Sequence, residues 1–85
     1  MNILIIIIIN MFGGMVMPLM LAGAGHEVCI KKIGGNDETK RFLNSLGFVV
    51  GESVTVISEL GGNVIINVKG SRVALDRSMA SRIMV

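Results

Sequence analysis

Tryptophan and tyrosine are absent from this 85-residue chain, and phenylalanine occurs only three times. A platform for stacking nucleic-acid bases therefore has little material. A single Cys excludes an internal disulfide framework and any multi-cysteine zinc site. A single His excludes any site that needs two imidazoles. Charge is sparse: 16% of residues are charged, and 8 Lys+Arg against 6 Asp+Glu leave a formal net charge of +2. This excludes a charged disordered tail and is too mild to be a nucleic-acid footprint. The length allows one domain with a modest core and little surplus stability for strained catalytic geometry, which argues against an enzyme.

Apolar residues, by contrast, make up 52% of the chain, and they are unevenly placed. Every charged residue lies from Glu27 onward. The opening contains the near-pure isoleucine run Ile3-Leu4-Ile5-Ile6-Ile7-Ile8-Ile9. The run alone is shorter than the roughly 20 apolar residues of a membrane-spanning helix. The whole stretch to Ala24 is long enough, but Gly13, Gly14 and Pro18 interrupt it and no Lys or Arg precedes it. Ala22-Gly23-Ala24 mimics a signal-cleavage site, without the basic region that should come first. Three readings stand for residues 1–16. They are an extension outside the fold, with Met11, Met15 or Met17 as alternative initiators, an added strand, or a membrane or export segment. The extension is preferred. A charge-free, proline-free isoleucine run is aggregation-prone if left exposed.

The folded part reads as short strands and one helix. Alternation places Val28, Ile30 and Lys32 on one face of a strand and Cys29, Lys31 and Ile33 on the other. Gly34-Gly35-Asn36 ends it. Asn36 or Asp37 caps a helix over 37–46 whose apolar stripe is Phe42, Leu43 and Leu46. Gly47 fits the left-handed position beyond that helix, and Phe48 fits the hydrophobic contact of a Schellman motif. Val54 and Val56 begin a second strand. Gly61-Gly62-Asn63 turns it into Val64–Val68, and Lys69-Gly70-Ser71 turns that into Arg72–Leu75. Asp76 caps a last helical turn, and Ile83-Met84-Val85 is suited to pair with the first strand. Short strands joined by hairpins in some sixty residues suggest a small, curved barrel, closed so that no apolar edge is exposed.

These residues carry a resemblance. Gly34-Gly35, Arg41-Phe42-Leu43, Ser45-Leu46-Gly47-Phe48, Gly51, Val54, Val56 and Gly70-Ser71-Arg72-Val73-Ala74-Leu75 resemble the signature of the ferrous-iron transport protein A family. Met79-Ala80, Ile83 and Val85 continue it, and Leu21, Ala22 and Gly25 fit the family's opening. The resemblance covers residues 17–85 and leaves 1–16 without a counterpart. It implies a mainly β fold, a small SH3-like β-barrel with one short inserted helix and a short C-terminal helical turn. It implies a cytoplasmic, non-enzymatic adaptor that acts with the membrane GTPase permease for ferrous iron and is recruited to the inner face of the membrane. The same barrel resembles the C-terminal domain of metal-dependent repressors. A metal-responsive module or metal-bridged dimer is therefore the alternative, and a homo-oligomer stays open. Neither nucleic acid nor direct membrane insertion of the barrel is expected.

Candidate sites are few. His26, Glu27 and Cys29 are the only cluster of metal-capable side chains, and a strand would put His26 on the opposite face from the other two. Convergence within one chain on ferrous iron or another divalent metal is therefore poor, although two chains sharing a site would double the ligands. Cys29 reads better as a small buried hydrophobe. Met residues in the opening, at 11, 15, 17 and 20, do not make a copper site without histidine nearby. Gly34-Gly35 is a turn and helix start, since no Walker Lys-Ser/Thr follows and Asp37 and Glu38 would repel an anion. No Ser-His-Asp or Cys-His constellation can be built. The remaining candidate is a docking surface at the helix–barrel junction, formed by Phe42, Leu46 and Phe48 with Arg41 and Arg72. Lys31, Lys40, Lys69, Arg77 and Arg82 complete a basic face that is either scattered solvated charge or steers an acidic partner.

Overall fold

The computed structural model describes residues 16–85. The leader readings, which concern residues 1–15, lie outside the described residues. A single 3-10 turn, Leu19–Ala22, opens the described part and buries Leu19 completely. The elements that follow are β1 (Glu27–Cys29), β2 (Lys32–Ile33), α1 (Asp37–Ser45), β3 (Ser53–Leu60), β4 (Asn63–Val68), β5 (Ser71–Asp76), α2 (Arg77–Ala80) and β6 (Ile83–Met84). Strands β1, β3, β4 and β5 form one antiparallel sheet in that order, and β2 pairs antiparallel with β6 in a second.

The expected continuous strand over 28–33 is two strands in two sheets. The backbone changes partner at Ile30 and Lys31. The Ile30 amide donates to the Glu52 carbonyl at 2.9 Å, whereas the Lys31 amide donates to the Met84 carbonyl at 2.8 Å. Strict alternation ends there, so Ile30 and Ile33 are both buried although three residues apart. The chain's last strand does return to its opening, as anticipated, but onto β2 in the register Lys32↔Met84 and Ile33↔Ile83. Met17 and Val85 exchange both backbone hydrogen bonds, at 3.0 and 2.8 Å, on the other side of β6. Both edges of β6 are therefore occupied, while the two ladders remain separate rather than merging into one closed ladder.

The inward residues of the main sheet are Val54, Val56, Val64, Ile66, Val68 and Leu75, all buried. They meet Leu43 and Phe48 from the helical side and Ile30, Ala80 and Ile83 from the second ribbon in one apolar core. Each hairpin has a two-residue turn, Gly61-Gly62 and Lys69-Gly70, with positive φ at both positions. That is the backbone sense that matches strand twist. A bulge at Ile57 shifts the β3–β4 register from Val56↔Ile66 to Ser58↔Ile65. Leu60 at the hairpin end is consequently turned to solvent.

Helix α1 has both ends specified by local chemistry. The Thr39 amide donates to Asn36 Oδ1 at 2.8 Å, and Asp37 and Glu38 lie in the first turn, where negative charge complements the helix dipole. At the other end the Phe48 amide donates to the Leu43 carbonyl and the Gly47 amide to the Asn44 carbonyl, both at 3.0 Å. This is the paired arrangement of a Schellman motif. The apolar stripe is narrower than the sequence suggests: Leu43 is buried and Leu46 half-buried, but Phe42 is 47% exposed. Asp76 caps α2 by accepting from the Met79 amide at 2.7 Å. Replacing Asn36 by Ala is expected to lower unfolding free energy by about 1 kcal/mol, and Asn36→Asp to preserve it. Chemical denaturation of the two variants checks this, and equal losses would remove the capping role.

Candidate protein-interaction surface

The helix–barrel junction is built by the turn that ends α1. Gly47 lies against the β4–β5 hairpin: a Cβ there would sit 3.5 Å from both Val68 Cγ2 and Lys69 Cδ. The end of α1 is thus held beside the turn that leads into Arg72. Arg41, Phe42 and Arg72 are exposed and Leu46 is half-buried. Phe48 is fully buried, which removes it from the expected docking surface. Its backbone is drawn under the helix by the hydrogen bond to Leu43, so its ring belongs to the core. Phe42 is left as the exposed aromatic of the junction, with Arg41 beside it in sequence.

Arg72 lies on the outward face of the main sheet. The registers align Glu27, Thr55, Asn67 and Arg72 in one cross-strand row, which places a carboxylate at the β1 edge and a guanidinium at the β5 edge. Glu27 and Cys29 share that outward face of β1, and His26 precedes it; all three are exposed. Cys29 is therefore not the buried hydrophobe that its residue type suggested. Its nearest polar partner is the adjacent Ile30 carbonyl, 3.7 Å from Sγ. Among the described residues no group of three or more His, Cys, Asp or Glu side chains is placed to hold a metal ion. Nor is any helix among them long and apolar enough to cross a membrane.

A second feature of the junction involves residues that the alternation pattern had separated. An open groove of about 370 Å3 lies between β2, α1 and the segment from α1 to β3, lined by Lys31, Lys32, Lys40, Asn44 and the apolar Ile33, Val49 and Val50. Lys31 and Lys32 would point to opposite sides of one strand. The partner change at Ile30–Lys31 brings both to this groove. Lys40 and Asn44, one turn apart on α1, complete its helical wall. The signal available in the sequence was the Lys31-Lys32 pair itself, masked by the assumption of an unbroken strand.

The groove, the exposed Phe42 and the two-ladder core describe a small β domain without a catalytic constellation among its described residues. Comparison with known proteins agrees with that architecture. The FeoA domain model matches residues 17–85. A Methanocaldococcus jannaschii protein with the provisional name Fe(2+) transport protein A is 41% identical over 68 residues, covering 80% of this chain and 83% of that protein. The crystal structure of an iron uptake regulatory protein, FeoA, superposes with a TM-score of 0.75 at 32% identity, covering 84% of this chain and 96% of the other. Stenotrophomonas maltophilia FeoA, crystallised with zinc and described as a prokaryotic SH3-domain protein, gives a TM-score of 0.65 at 29% identity over 82% of this chain and 86% of its own. The fold expected from the sequence, a small SH3-like β domain with a short inserted helix, is the fold found, and the chain belongs to the FeoA domain family.

Proposed function

We propose that this protein is a non-enzymatic accessory protein of ferrous-iron uptake, acting on the cytoplasmic side by contact with the GTPase domain of the membrane permease. Family membership supports the transport role. The observation that carries the contact is Phe42, a large aromatic side chain left 47% exposed on α1 although the residue after it, Leu43, is fully buried. An apolar centre with charged residues around it is the usual composition of a binding patch. Arg41 and Arg72, both exposed, supply positive charge that would steer an acidic partner and raise its association rate. Ferrous iron enters as cargo of the system and not as a ligand of this domain, since His26, Glu27 and Cys29 are not joined by further ligands.

The test is co-purification of the full chain with the permease, with and without guanine nucleotide. Wild type is expected to co-purify, and Arg41→Glu combined with Arg72→Glu to lose at least about tenfold in recovery with an unchanged unfolding midpoint. Undiminished recovery of the double variant would show that this surface is not the interface. Failure of wild type to co-purify in any nucleotide state would remove the adaptor reading altogether.

A further inference from the structure

We propose that the lysine-lined groove between β2 and α1 is a binding site for an extended acidic segment of another protein, with an aliphatic side chain of that segment seated on Val49 and Val50. The groove stands apart from the Arg41–Phe42 surface. Successive helical residues turn by about 100°, so Lys40 and Asn44 occupy one flank of α1 and Phe42 the other, with Leu43 facing the core between them.

Charge complementarity decides the occupant. Lys31, Lys32 and Lys40 are exposed and line one concave space, and no acidic side chain lines it with them. The only ion pair among the described residues is Arg77–Glu59, at 2.9 Å, on the far hairpin. Three like charges sharing a groove repel one another, and an approaching carboxylate relieves that repulsion while gaining up to three partners. The apolar part has its own pull. Val50 is 65% exposed, and covering it removes aliphatic surface from water. Asn44 adds an amide able to donate to or accept from a main chain laid along the groove. At about 370 Å3 the space lies near the lower end of ordinary ligand pockets, roughly 300–1,000 Å3, and suits a few residues of extended chain. A concave wall of this kind also favours a narrow chain over a flat bilayer.

The proposal does not depend on the permease contact, and its test does not involve the permease. The probe is a blocked peptide of alternating Asp and Leu residues, titrated into the isotope-labelled full chain with amide shifts followed by NMR. Shifts are expected to concentrate at residues 31–33, 40, 44 and 49–50. Lys32→Glu combined with Lys40→Glu is expected to weaken binding by at least about tenfold. Lys69→Glu combined with Arg77→Glu, an equal change of net charge elsewhere, is expected to weaken it by less than about threefold. Val50→Ser should weaken it several-fold without altering the fold. If the groove pair fails to fold, Lys40→Glu alone carries the comparison. Equal losses in the two charge-reversed pairs would overturn the site. So would identical shifts with inorganic phosphate, which would mean a plain anion site, or co-sedimentation with phosphatidylserine vesicles in the absence of peptide binding.

Discussion

Phe48→Ala is expected to lower the unfolding free energy by about 4 kcal/mol, the middle of the range for deleting a buried aromatic ring. Domains of this size hold a total near the lower end of about 5–15 kcal/mol, so the variant should be largely unfolded at ambient temperature. The reason is local. Phe48 is completely buried and among the largest fully buried side chains of the core. Its position is set by the backbone hydrogen bond from its amide to the Leu43 carbonyl, and the small core has few other large residues able to collapse into the cavity. Phe42 provides the internal control. It is six residues away in the same junction but 47% exposed, so Phe42→Ala should cost less than about 1.5 kcal/mol. Urea denaturation followed by circular dichroism separates the two cases. Similar losses for both variants would mean that the two rings share the burial that the structure assigns to Phe48.

The contrast between these two phenylalanines shows what could be read before the structure. Elements fixed by chemistry within a few residues were legible: the Asn36 and Asp76 caps, the Gly47 turn, and both two-residue hairpin turns. Each depends on a side chain or a positive φ whose partner lies no more than four residues away. The break at Ile30–Lys31 was not legible, because its cause is remote. Lys31 is drawn off the main sheet by the carbonyl of Met84, at the other end of the chain. A period-two pattern of Val28, Ile30 and Lys32 carries no trace of that partner. Everything that follows from the break was hidden with it, including the convergence of Lys31 and Lys32 on one groove and the exposure of Val50. Phe42 was misplaced for a related reason: in a helix as short as Asp37–Ser45 the core accepts only a narrow stripe. Leu43 and Leu46 fill it.

The two candidate surfaces share one supporting element, since α1 carries Phe42 on one flank and Lys40 on the other. The placement of both depends on how α1 is tied to the barrel, and that tie is the turn at Gly47. Gly47→Val is expected to lower unfolding free energy by about 3 kcal/mol. Two effects add. The residue holds φ at +104°, a conformation that L side chains rarely adopt and that β-branched ones tolerate least. A Cβ would also lie 3.5 Å from Val68 and Lys69, ordinary contact for a methyl but close enough that valine's further methyl groups must displace the hairpin. Gly47→Ala meets the backbone cost alone and should lose about 1–2 kcal/mol. A graded series, with Ala between Gly and Val, is therefore the expected outcome of denaturation measurements. Equal stability of all three would show that the helix end is not held in the left-handed conformation. The turn is also predicted to couple to Phe48, because it delivers that residue to the core. In a double-mutant cycle of Gly47→Ala with Phe48→Leu, a conservative pair that leaves the domain folded, the combined loss should differ from the sum of the single losses by at least about 0.5 kcal/mol. Strict additivity would mean that Phe48 finds its place without the Gly47 turn, and that α1 is anchored by Leu43 alone.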